Sequence, residues 1–128
     1  MQTDGVDYWD AFPDLVGLVL EESWVLEVLP SERAVSLRVE AGMTQQHPQY
    51  RPASPGEQHA YLSGWLTLAS DEPVDVRLSG ARPAVDATGS TDLGQIDRLA
   101  QSTDQTWEAE GDWGSVRLSW PCVFFTAD

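Results

Sequence analysis

The chain has 128 residues, 41% of them hydrophobic, enough for one domain with a core that needs no disulfide. Twenty-one acidic residues face seven arginines and no lysine, for a net charge of −14. That balance excludes nucleic-acid binding through phosphates and attachment to anionic membranes, because both need a positive patch.

Residues 1–13 read as an acidic N-terminal arm, with Asp4, Asp7 and Asp10 around Tyr8 and Trp9, whose aromatics dock on the body. Residues 14–128 read as a single β-rich domain. A short helix can start after Pro13, since Leu15, Leu18 and Val19 share a helical face. Leu18-Val19-Leu20 and Ser23-Trp24-Val25-Leu26 equally suit two strand segments with a kink at Glu21-Glu22, and strand is preferred. Trp24 to Leu29, the turn Pro30-Ser31-Glu32-Arg33, and Ala34 to Glu40 form a hairpin in which Val35, Leu37 and Val39 share one face.

Gly42 to Glu57 changes character, with three prolines and little periodicity. It is expected as an extended surface loop, the first place to look for a site. Ala60 to Ala69 is a strand with Gly64 as a bulge or a close approach, and Asp71-Glu72-Pro73 turns the chain. Val74, Val76 and Leu78 then alternate with Asp75, Arg77 and Ser79. Gly80 to Thr91 is a connection, and Leu93 to Leu99 is ambiguous between helix and strand.

Trp107 to Trp120 is the clearest element. Trp107 and Ala109 alternate with Glu108 and Glu110; past the turn, Val116, Leu118 and Trp120 alternate with Ser115, Arg117 and Ser119. Gly111 and Gly114 bracket Asp112-Trp113 in the hairpin turn. Pro121 to Phe125 supplies the last strand. Seven or eight short strands of this kind indicate a mostly β fold: an antiparallel sandwich or curled partial barrel built from hairpins, with at most one short helix.

Chemistry is sparse. His47 and His59 are the only histidines, with Glu57 two residues before His59. A metal site needs three or four converging ligands, and this spacing matches no zinc pattern, so no metal and no cofactor is expected. Cys122, the only cysteine, forms no intrachain disulfide; beside Val123, Phe124 and Phe125 it reads as a buried, inert thiol. Ser23, Ser63 and Ser119 lack a glycine-flanked elbow, and Glu108/Glu110 read as an exposed strand face. No catalytic residue is therefore assigned, and the chain is expected not to be an enzyme. Trp65, Trp107, Trp113 and Trp120 can line a ligand wall, although strand tryptophans usually fill cores. Trp113 in its turn is expected to be exposed, as a contact anchor. The chain opens with no basic segment leading into an apolar run, and no stretch reaches the ~18 apolar residues of a span. The cytoplasm of a bacterium is the expected setting.

Three stretches carry a resemblance: Gly17 to Leu26; the loop His47-Pro48-Gln49-Tyr50-Arg51-Pro52 to Pro55-Gly56-Glu57-Gln58; and Asp92 to Asp97 followed by Trp107 to Trp113. Their order resembles a family of small acidic β-rich actinobacterial proteins of unknown function, across most of residues 13–120. The resemblance implies no catalytic residues, and it implies a strand near Asp92–Asp97. More loosely, the hairpin layout is similar to small acidic immunity proteins of bacterial toxin systems.

The leading expectation is a non-enzymatic domain that binds a basic protein, in an immunity-type role as one version. His47, Tyr50, Arg51, Glu57, His59, Asp112 and Trp113 are its candidate contact residues. The alternatives are a small-ligand-binding β domain, a metal-dependent hydrolase using His47, Glu57 and His59, and self-association as a homodimer through a hairpin edge.

Overall fold

The computed structural model describes residues 7–48, 50, 52, 60–78, 84–85 and 91–127. Ten strands run through them: β1 Leu18–Pro30, β2 Ala34–Met43, β3 Ala60–Ala69, β4 Asp75–Leu78, β5 Ala84–Val85, β6 Thr91–Asp92, β7 Ile96–Gln101, β8 Thr106–Gly111, β9 Gly114–Ser119 and β10 Cys122–Ala127. One antiparallel sheet has the order β1-β2-β3-β10, the second the order β4-β9-β8-β7, and β5 pairs with β6 alone. Before β1 come a four-residue helix, α1 Tyr8–Ala11, and a 3-10 turn at Pro13–Leu15. The mostly β, antiparallel architecture expected from the hairpins is the one found. The strands beyond eight are accounted for by two-residue β5 and β6.

Alternation decides which face each strand buries. In β2, Val35, Leu37 and Val39 have no exposed surface, while Ser36 and Arg38 are half-buried and Glu40 is exposed. Leu37 sits between Val28 of β1 and Leu66 of β3, so one inward row crosses three strands. The kink foreseen at Glu21-Glu22 is a bulge: β1 loses register with β2 between Val19 and Trp24. The buried Ser23 hydroxyl repairs it, donating to Val19 O at 2.7 Å and accepting from Gly42 N at 3.0 Å. Two backbone groups left unpaired by the bulge are thereby satisfied.

The sheets are joined at two corners. Leu93 N donates to Val25 O at 2.7 Å and Val25 N to Gly94 O at 2.9 Å, which carries β1 pairing across to the segment that enters β7. At the other corner the Ser70 hydroxyl donates to Ser119 O and accepts from Ser119 N, at 3.1 and 2.9 Å. The result is a curled sandwich, with no closed barrel among the described residues. Leu93–Leu99, ambiguous between helix and strand, enters β7 only at Ile96, after Gly94 at φ 95°.

Tyr8, Phe12 and Leu15 belong to the same core cluster as the inner faces of the sheets. The Phe12 ring meets Trp107 edge-on, with centroids 4.9 Å apart. Asp14 accepts a hydrogen bond from Phe125 N at 2.9 Å, closing one donor on the free edge of β10.

Three local expectations are corrected. Trp113 is 3% exposed, so it is no surface anchor. Its indole folds back over Gly111, where any Cβ would strike the indole Nε1. Cys122 is exposed rather than buried. Val123 takes the inward position on β10, so Cys122 and Phe124 face out. The four tryptophans also do not converge. Trp107 is in the core, Trp65 lies outside under Arg38 at 5.6 Å, and Trp120 is 61% exposed with φ 47°.

Candidate functional site

The site is assembled at the end of the sandwich where β1 begins and β2 ends. Leu18 pairs with Met43 there, and the chain leaves β2 into a tight turn. Thr44 N donates to Gly17 O at 2.7 Å, and His47 N donates to Thr44 O at 3.0 Å. Gly17 has φ 84°, and a Cβ on it would lie 2.5 Å from His47 N. Only glycine lets the 44–48 turn sit this close to the start of β1.

An open cleft lies on each side of this turn. The first, of about 350 Å³, is lined by Pro13, Asp14, Val16, His47 and Phe125 among others. The second, also about 350 Å³, is lined by Tyr8, Trp9, Leu18, Val19 and Glu21, with Gln46 shared between the two. No arginine lines either cleft among the described residues. Both have apolar walls in part open to water, with Trp9 43% and Val16 42% exposed.

The polar groups at the rims are held in place. The Tyr8 hydroxyl donates to Glu21 Oε1 at 2.7 Å and accepts from Leu20 N at 3.1 Å. Burial pushes the Tyr8 phenol well above the ordinary tyrosine range; the Leu20 amide opposes this and the Glu21 carboxylate adds to it. The phenol therefore stays a donor to Glu21 at any ordinary pH. Partial burial lowers the His47 pKa, with Asp14 pulling the other way, so the imidazole is mainly neutral at pH 7.

The outer face of the second sheet has the opposite character. Arg77 lies 3.8 Å from Asp75, Arg98 3.5 Å from Glu110 and Arg117 3.6 Å from Glu108. Each of these three acids has a cation beside it. A third, polar cleft over Asp75, Arg77, Glu108 and Arg117 is lined by these pairs.

Of the expected contact residues, the structure brings His47 to the clefts and places Tyr50 next to it, with Tyr50 N donating to His47 O at 3.0 Å. Tyr50 is 36% exposed. Asp112 and Trp113 are elsewhere, in the β8–β9 turn against Gly94, and line neither cleft. Arg51, Glu57 and His59 lie outside the described residues. Among the described residues no group of three His, Cys, Asp or Glu side chains is placed to hold a metal ion, and no helix is long and apolar enough to cross a membrane. Trp9, Asp14, Val16 and Glu21 were not foreseen as site residues. The available signal was an aromatic pair set inside a run of aspartates, which is costly to leave in water unless it packs.

Comparison with protein-family models, with curated proteins and with solved structures finds no match.

Proposed function

We propose that this protein is a non-enzymatic interaction domain that takes a basic partner protein at its acidic, aromatic end. One observation carries the reading: two adjacent clefts with exposed apolar walls, edged by Asp14 and Glu21 and lined by no arginine among the described residues. Asp7, at the N-cap of α1, and Asp10 within it flank the same end, both exposed. Carboxylates around a partly apolar surface favour a positively charged partner, which they steer and orient. The second sheet serves as an internal contrast, since Asp75, Glu108 and Glu110 there each have an arginine beside them. Inhibition of a basic toxin, an immunity-type role, is one form this function can take.

The test is capture from host lysate at low and at high salt, read by native mass spectrometry, with Asp7→Asn/Asp10→Asn/Asp14→Asn beside the parent chain. A basic protein that binds at low salt, leaves at high salt and is lost by the variant is the expected result. Equal capture by the variant, or no basic companion at all, would overturn the reading.

A second reading rests on the size of the His47 cleft. About 350 Å³ is within the range of small-molecule sites. A small ligand held between Val16, His47 and Phe125 would shift the resonances of those residues on addition of a fragment library, with no dependence on salt.

A further inference from the structure

We infer that the cleft between Trp9 and Gln46 receives one arginine or lysine side chain projected by the basic partner. This rests on the interaction reading above and names what its most structured part recognises. Trp9 supplies the first element. It stands between Asp7 and Asp10 in the chain, and the residue stays 43% exposed although its neighbour Tyr8 is 4% exposed. The Tyr8 ring meets it edge-on, with centroids 4.7 Å apart and planes at 84°. That contact braces the indole while the residue stays open to water. An exposed, braced indole face attracts a cation through its quadrupole.

Glu21 supplies the second element. It lines the same cleft and is fixed by the bulge of β1 and by the Tyr8 hydroxyl on Oε1. A carboxylate whose orientation is already set loses little freedom when it accepts a charge-assisted hydrogen bond. Leu18 and Val19 add apolar wall, and Thr44 and Gln46 add polar rim. An apolar wall, an aromatic face and an oriented carboxylate together suit a long aliphatic stem ending in a cation. They do not suit an anion, and they do not suit a purely apolar side chain, which would leave the carboxylate without water.

The probe is the peptide Gly-Gly-Arg-Gly-Gly, capped at both ends, with its citrulline analogue as a neutral isostere. Binding is read from the Trp9 indole N–H and the Glu21 and Gln46 amides in nitrogen-proton correlation spectra. The expected result is a saturable shift of these signals by the arginine peptide and none by the citrulline one. Glu21→Gln keeps an acceptor for Tyr8 yet should weaken binding about tenfold. Trp9→Ala, at an exposed position, should weaken it roughly threefold to thirtyfold. Shifts that map to other carboxylates, or equal shifts with citrulline, would overturn the inference. Tighter binding of free L-arginine or spermidine than of the peptide would assign the cleft to a small cation and likewise overturn it. If the basic protein captured from lysate is retained in full by Trp9→Ala and Glu21→Gln, the cleft assignment fails while the interaction reading stands. If nothing basic is captured, the interaction reading fails and the inference that rests on it fails with it, even where the peptide binds the cleft.

Discussion

At the scale of single residues, Tyr8 has the largest consequence. Its hydroxyl satisfies the buried Leu20 amide and orients Glu21. Tyr8→Phe should cost about 1–3 kcal/mol at pH 7, because Leu20 N–H is left buried without an acceptor. The pH dependence has a definite sign. The folded chain holds the phenolic proton more tightly than the unfolded chain, whose value is near 10.0. The stabilisation is complete below that pH and is lost as pH rises above it, by up to about 1.4 kcal/mol per pH unit. Urea denaturation from pH 7 to 11 should show a steeper loss above pH 10 in the parent than in Tyr8→Phe; parallel curves would refute the assignment. Cys122 marks a limit of reading at this scale. Alternation says that neighbours face opposite ways, but the run Val123-Phe124-Phe125 is apolar on both parities, so the sequence does not say which parity is inside. Trp113 is a different failure: its burial depends on a missing Cβ two residues earlier, a feature of the turn rather than of the indole.

At the scale of elements, the 44–48 turn and α1 build the site, and both depend on β1. Gly17→Ala places a Cβ against the His47 backbone at a residue with φ 84°. It should destabilise the fold by about 1–3 kcal/mol and release the turn. Amide exchange at Thr44 and His47 should quicken more than exchange in the centre of β2; uniform quickening would mean that the strain is felt globally and that the turn is not the responsive element. The described part of the long loop after β2 forms a wall of both clefts. The other walls come from α1, the 3-10 turn, β1 and β10. Phe125 and Asp14, 111 residues apart in the chain, meet through one hydrogen bond. No periodicity reports such a contact.

For the whole molecule, charge is the dominant property. A net charge of −14 is distributed unevenly: three arginine–acid pairs lie on the second sheet, and among the described residues no arginine lines the clefts. The exposed pairs contribute little stability, about 0–1 kcal/mol each. Like-charge repulsion elsewhere opposes compaction. Raising sodium chloride from about 0.02 M to about 0.5 M shortens the Debye length to a few ångströms, so the thermal midpoint should rise. A midpoint that falls or stays flat would mean that ion pairs outweigh repulsion in this fold.

The sequence by itself determined the β class, the two long hairpins and the inward rows of β2 and β8; it offered a kink at Glu21-Glu22 beside a helical alternative. All are local, since period-two alternation and turn chemistry act over a few residues. Tertiary structure alone decided how the sheets join through Val25 and Ser70, which way β10 faces, and that Trp9, Glu21 and Gln46 share a cleft. Those outcomes depend on which distant backbone groups find partners and which side chains a corner leaves uncovered. They are properties of packing between elements, and nothing in the spacing of residues along the chain encodes them separately.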